Sequence, residues 1–313
     1  LVATSINRLQ TASISSDANK VIEYSRILDG VVAATEEPFT LSIDAYAQAV
    51  LEREFKLAKQ KTEAKSVFGL IMDADTGELV AIGQSEGLNP ASSGQLTTDE
   101  LKLLPIQMVF EPGSTVKPFV AAAAMLSQQT KLSAIVDCEN GQATFGKHTV
   151  KDVHKMGQVS LAEALVSSSN VAFAKLGLKL GRDDLQTSYQ AFGFGQKTNL
   201  PLLAEESGVL RHAKNWRDVD VLTHSFGYGM STTAIQLARS YAMLMNGGYL
   251  VEPTIIKITD KREIRSQHVF PTEYSNKLRE VLYGVTEDSR STGKQAKLPW
   301  ARVAGKTRTS QKV

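Results

Sequence analysis

The sequence predicts an α+β domain, and three observations predict it. Apolar residues recur at helical spacing through the middle of the chain, from about residue 161 to 180 and again up to Met245. Two short apolar runs, residues 67–72 and 79–82, flank the polar turn 73–78, as a β-hairpin would. A last apolar stretch, residues 300–306, reads as the start of a strand. Strands at two distant places with helices between them imply an antiparallel sheet flanked by helices and drawn from distant parts of the chain.

Taken in order, residues 1 to about 40 are mixed and weakly periodic. From Ser42 the pattern turns helical, with Tyr46, Val50, Leu51, Phe55 and Leu57 along one face. The hairpin follows, then a polar loop over 84–95 rich in Ser, Gly and Asn. The Pro112–Gly113 pair stands before an apolar run from Phe119 to Leu126, which places a helix N-terminus there with Ser114 on its first turn. Ser160 and Glu163 have the spacing of a capping box and open a short helix. That helix meets a polar break at Ser167-Ser168-Ser169-Asn170, and a second apolar stretch, 171–180, is closed by Gly181. Ser231-Thr232 begins a helix that runs to Met245 and stops at Asn246-Gly247-Gly248; Pro271-Thr272 begins another, with Leu278, Val281 and Leu282 as its apolar positions.

The composition narrows the function classes. A chain of 313 residues suffices for one large domain or two ordinary ones, and 42% hydrophobic with 22% charged residues is that of a soluble globular protein. A net charge of +2 without a long basic run gives no reason to expect a nucleic-acid partner. The one cysteine, Cys138, excludes a disulfide within the chain and a cysteine-rich metal site. The longest apolar run, 119–126, is far below the roughly 20 residues of a membrane span. Residues 1–10 show neither a basic n-region nor an apolar stretch, and the first residue is Leu1, so a piece of a longer protein is expected.

Several chemistries fail on spacing. Gly305-Lys306-Thr307 resembles the tail of a phosphate-binding loop, but the glycine needed five residues earlier is Trp300. Gly227-Tyr228-Gly229 lacks the third glycine of a dinucleotide fingerprint, position 232 being threonine. The histidines at 148, 154, 212, 224 and 268 show no metal-ligand spacing, and no Gly-x-Ser-x-Gly elbow exists. What remains is Ser114-x-x-Lys117. A hydroxyl beside an amine at the positive end of a helix can form an activated nucleophile, although so short a pair, taken alone, is more often a helix cap and a solvated charge.

Two further elements follow in order: Ser168-x-Asn170 and Lys306-Thr307-x-Thr309-Ser310. This set is close to that of penicillin-binding proteins and class A β-lactamases. Further matches run from Phe39-Thr40-Leu41-Ser42 through Asp75-Thr76-Gly77-Glu78, the stretch 110–119, Phe192-Gly193-Phe194-Gly195 and Ser225-Phe226-Gly227-Tyr228-Gly229 to Val303-Ala304-Gly305-Lys306-Thr307. On these residues the chain resembles the transpeptidase domain of class B penicillin-binding proteins, the division-specific enzymes above all, from about residue 39 to the end.

The resemblance implies a penicillin-binding, serine β-lactamase-like fold, with residues 1–38 as the end of an N-terminal pedestal or linker and 39–313 as the transpeptidase domain. It implies acyl transfer on peptidoglycan stem peptides ending in D-Ala-D-Ala, with an amine acceptor and no metal or organic cofactor. Ser114 would be the nucleophile, Lys117 its base and Lys306 a second cation lowering the Lys117 pKa. Ser168 would relay a proton, and Asn170 would hold substrate and Lys117. Lys306, Thr307 and Thr309 would bind the substrate carboxylate, and the backbone N–H groups of Ser114 and Thr309 would form the oxyanion hole. β-Lactams would acylate Ser114. The family's setting implies a bacterial membrane anchor outside this chain, a periplasmic catalytic domain, and division-complex partners including a glycosyltransferase. Glu205 and Glu206 lie in the region where a class A β-lactamase keeps its deacylating glutamate, but the segment 200–210 follows the penicillin-binding-protein pattern.

Two departures stand out. The family's third motif has glycine where this chain has Arg308, a position where a ligand would approach a strand closely. That residue raises a second reading, a catalytically impaired homologue acting as a division-complex scaffold. The chain also stops at Val313, where the resemblance implies further strands and a terminal helix, so a C-terminal truncation is expected.

Overall fold

The computed structural model describes residues 40–86, 102–202, 204–288 and 291–308. The pedestal expected at 1–38, the polar loop from residue 87 onward, and Thr309 lie outside the described residues.

The core is organised around one helix that is apolar on every side. In α3 (Lys117–Leu126; α1 and α2 are Ala45–Thr62 and Leu104–Gln107) every residue through Met125 is buried. An all-round apolar helix belongs in the middle of a domain, and four successive alanines, 121–124, let neighbours approach closely. Three helices pack on it: α5 (Asn170–Leu180), α6 (Arg182–Ala191) and α9 (Thr272–Glu287). Phe119 anchors the contact. Its ring meets Phe194 and Tyr241 edge-on, each at 5.1 Å between centroids. The Tyr241 hydroxyl, carried on α8 (Ala234–Met245), donates to the Thr115 carbonyl at 2.8 Å and ties that helix to the turn preceding α3.

A second apolar cluster joins the N-terminal layer to this bundle. The hairpin β1 (Phe68–Met72) and β2 (Leu79–Gln84) is covered by α1, and Leu79, Ile82, Ile106, Ile235 and Ile255 close the space between. The free side of β2 does not stay open. The Gln48 amide accepts from the Ile82 N–H at 3.0 Å and donates to the Ile82 carbonyl at 2.9 Å, so a side chain takes the place of a neighbouring strand.

The α+β class and the expected helices stand, with α1 capped by Asp44, α4 (Leu161–Val166) opened by the Ser160–Glu163 capping box, and α5 ended at Gly181. Four expectations change. Strands also form at β3 (Ile135–Asp137), β4 (Gln142–Phe145), β5 (His148–Lys151), β6 (Gln158–Ser160), β7 (Tyr249–Val251) and β8 (Ser266–His268). They are three or four residues long, too short for a period of two to stand out, and β3, β5 and β8 are mostly exposed. All described ladders are antiparallel, but they form four separate two-stranded sheets. Residues 302–306 are extended but not in a ladder, because their backbone bonds go to α9. The Gly305 N–H donates to the Leu282 carbonyl at 3.1 Å, and the Thr286 hydroxyl to the Val303 carbonyl. The helix expected from Ser231 starts at Ala234, since Thr232 pairs with Phe110 in a short bridge and Thr233 serves as the cap. Among the described residues no helix is long and apolar enough to cross a membrane.

Phe119→Ala removes the central ring of the core. It is expected to lower stability by about 3–5 kcal/mol, read as a lower urea midpoint with an unchanged slope; an unchanged midpoint would contradict this packing account.

Candidate active site

Ser114 occupies a single 3-10 turn, Gly113–Val116, that leads directly into α3. Pro118 falls in the first turn of α3, where a missing N–H leaves no intrahelical bond unmade. The turn is pinned from outside. Gly113 donates its N–H to the Gly227 carbonyl at 2.9 Å, and a Cβ on Gly227 would stand 2.0 Å from the Gly113 oxygen, so only glycine permits this approach. The Glu111 carboxylate accepts the Gly229 N–H at 2.9 Å, fastening the same loop a second time.

Lys117 is 0% exposed, an unusual state for a lysine. Its Nζ lies 2.6 Å from the Ser168 carbonyl, 2.8 Å from Asn170 Oδ1 and 3.2 Å from Ser168 Oγ, with the Phe173 ring 5.8 Å away. All three hydrogen-bonding oxygens are uncharged acceptors. Burial, with no directly bonded carboxylate, holds the Lys117 pKa well below the ordinary lysine range; the Lys306 cation pushes it further down, and Asp152 opposes both. The Ser114 hydroxyl is half-buried and makes no hydrogen bond among the described residues.

The partners of Lys117 sit on a strained corner between α4 and α5. Ser168 has φ +62, a left-handed conformation uncommon for serine, and Ser169 caps α5 by accepting from the Ala172 N–H. Asp152 secures this corner. One of its oxygens accepts the Asn170 and Val171 N–H groups and the other the Ser169 hydroxyl, the latter at 2.6 Å. The Asn170 amide donates to the Lys151 carbonyl at 2.8 Å, which fixes Oδ1 toward Lys117.

Lys306 arrives from the extended segment held on α9. It is half-buried, contacts the Thr307 carbonyl at 3.4 Å, and burial pushes its pKa down to about 8. The Thr307 and Thr292 hydroxyls pair with each other. Arg308 lies with its guanidinium 5.0 Å from the Phe110 ring centroid, in the field of Glu111 and Tyr228, at the edge of the Ser114 turn. Lys117, Ser168 and Asn170 thus meet directly, Lys306 acts on Lys117 through its charge, and Thr309 lies outside the described residues. Glu205 is buried elsewhere, accepting the Thr198 N–H at 2.7 Å, and Glu206 is exposed; neither bonds Lys117, Ser168 or Asn170. Among the described residues no group of three His, Cys, Asp or Glu side chains could hold a metal ion.

Residues 67–313 match the penicillin binding protein transpeptidase domain, and the chain belongs to that family. It is 32% identical over 297 residues to the peptidoglycan D,D-transpeptidase FtsI of Escherichia coli, covering 93% of this chain and 49% of the relative. The chain therefore spans about half the length of the curated relatives it matches. Among solved structures it resembles a peptidoglycan glycosyltransferase from Burkholderia ambifaria, with a TM-score of 0.79 and 27% identity, covering 87% of this chain and 82% of the other. It also resembles the apo TP domain of penicillin-binding protein 3 from Burkholderia pseudomallei, with a TM-score of 0.77 and 27% identity, covering 84% of this chain and 75% of the other.

The lysine pKa values give a signed prediction. A lysine whose pKa is lower folded than unfolded binds fewer protons in the folded state, so stability rises with pH between the two values. For Lys306 that window opens at about 8. It closes near pH 10, where the buried Tyr189 and Tyr241, whose phenols burial pushes up, begin to favour the ionised unfolded chain. The urea midpoint is expected to rise from pH 8 to about pH 10, and Lys306→Met should reduce the rise; an equal rise in that variant would contradict the burial of this amine.

Proposed function

We propose that this chain is the acyl-transfer domain of a peptidoglycan D,D-transpeptidase that cross-links stem peptides through an ester on Ser114. The observation that carries the reading is the buried Lys117 amine, held by Ser168 and Asn170 three residues along the chain from a serine hydroxyl that makes no hydrogen bond among the described residues. Residues three apart at a helix start share a face, so the amine and hydroxyl need only a local rotation to meet.

Ser114 Oγ attacks the carbonyl between the two D-alanines, and its proton passes to the neutral Lys117 amine. The tetrahedral oxyanion takes hydrogen bonds from the Ser114 and Thr309 N–H groups, each donor contributing a few kcal/mol. The C–N bond then breaks, and the departing D-alanine amine receives a proton from Lys117 through the Ser168 hydroxyl. An acceptor amine attacks the ester, gives its proton to Lys117, and leaves with the acyl group as a new amide while Ser114 regains its proton. Lys306, Thr307 and Thr309 hold the terminal carboxylate of the donor. A β-lactam enters the same path and stops at the ester. The hydrogen bonding of Glu205 and Glu206 favours cross-linking over β-lactamase turnover, because among the described residues Glu205 is taken up by the Thr198 N–H and neither carboxylate bonds Lys117, Ser168 or Asn170. On the family resemblance set out above, the proposed setting is septal wall synthesis, on the outer side of the cytoplasmic membrane, beside division proteins including a glycosyltransferase.

The Arg308 guanidinium beside Phe110 favours a second reading, an impaired homologue that serves the division complex as a scaffold. Intact mass after incubation with a penicillin separates the two. The parent is expected to gain one drug unit, Ser114→Ala none, and Arg308→Gly to acylate faster than the parent. A gain in Arg308→Gly alone would mean that Arg308 disables this copy, no gain in either would put the scaffold reading ahead, and a gain retained in Ser114→Ala would overturn the nucleophile assignment.

A further inference from the structure

Asp152 is not part of any of the three motifs, yet it accepts hydrogen bonds from Ser169, Asn170 and Val171, at and just beyond the Ser168–Asn170 corner. It comes from the end of the β4–β5 hairpin and stands 18 residues before Asn170. Its own N–H donates to the Gly141 carbonyl at 2.9 Å, which fixes the carboxylate from behind. Three donors converge on its two oxygens: the Asn170 and Val171 N–H groups and the Ser169 hydroxyl. No described cation pairs with it at ion-pair distance, so its charge is spent on this corner and on the first turn of α5.

We propose that Asp152 is a positioning residue for acyl transfer, holding Ser168 in its left-handed conformation so that its carbonyl and hydroxyl, with Asn170 Oδ1, stay on the Lys117 amine. The inference rests on the acyl-transfer reading of Ser114 and Lys117. A serine at φ +62 relaxes toward ordinary backbone unless its neighbours over-determine it, and the three residues that follow Ser168 are tied by this one carboxylate, while the Ser168 N–H donates to the Leu165 carbonyl. Asp152 also acts on the base directly. Its negative charge favours protonated Lys117, while Lys306 disfavours it, so the two residues set the amine from opposite sides. These are the charged groups that face Lys117, one from the hairpin end and one from the segment on α9.

Two substitutions separate the geometric and electrostatic roles. Asp152→Asn keeps an oxygen acceptor for the two N–H groups and removes the charge; Asp152→Ala removes both. The measurement is the second-order rate of penicillin acylation as a function of pH, on the full chain. Asp152→Asn is expected to move the acid limb to lower pH by roughly 0.5–1 unit, because the amine then loses its proton more readily. Asp152→Ala is expected to lower the rate at every pH by roughly tenfold to a hundredfold, and Asp152→Glu to recover part of it. A structural role alone gives no displacement of the limb, so unchanged limbs in Asp152→Asn would overturn the inference. If the parent forms no ester, the acyl-transfer reading fails by itself. The positioning claim is then decided by the Asn170 amide proton, which should move upfield in Asp152→Asn; an unmoved resonance would overturn it.

Discussion

A lysine amine buried among uncharged oxygens is the feature on which the rest of this structure depends. Lys117 carries its nitrogen into a site with no water access and no directly bonded carboxylate, and it meets a carbonyl, an amide oxygen and a hydroxyl. Three donors on three acceptors suit an ammonium, but the Ser168 hydroxyl can reverse and donate to a neutral amine without either atom moving. The site therefore accommodates both protonation states, which is what a group that takes and returns a proton within one cycle needs. Desolvation and the nearby Lys306 tilt the balance toward the neutral form.

Keeping that amine in place costs the domain flexibility in several other elements. The helix that carries it is buried all round, so it cannot turn without disturbing Phe119 and the rings of Phe194 and Tyr241. The turn before it is held by Gly227, Glu111 and Tyr241 from separate segments. The corner that faces it is kept in a left-handed conformation by a carboxylate from a hairpin, and the second cation is brought in by a segment bonded to α9. Each support comes from a different part of the chain, and all converge within a few residues of Ser114.

Much of this was legible in the sequence, because the residues proposed to act on substrate lie in short fixed spacings. Ser114, Lys117, Ser168, Asn170 and Lys306 could be found from three motifs in order, and the helices from their caps and apolar stretches. The supports were not legible in the same way. Nothing in the neighbourhood of Asp152 distinguishes it from a surface aspartate, since its role arises only when β5 and α5 are brought together across the fold. The short strands from 135 to 160 escaped because three or four residues are too few for a period of two to stand out. The segment 300–306 misled for a different reason: Ala304 packs on the core while Trp300 stays exposed, and the Gly305 N–H bonds to a helix rather than to a strand.

The most direct test of the account is the protonation state of Lys117 itself, followed by the carbon-13 shift of its Cε over a pH titration of the whole chain. The account predicts a midpoint well below the ordinary lysine value, rising toward it in Lys306→Met. A Lys117 that titrates at about 10.4, as a free lysine does, would contradict it, because an amine still charged at neutral pH could not take the Ser114 proton.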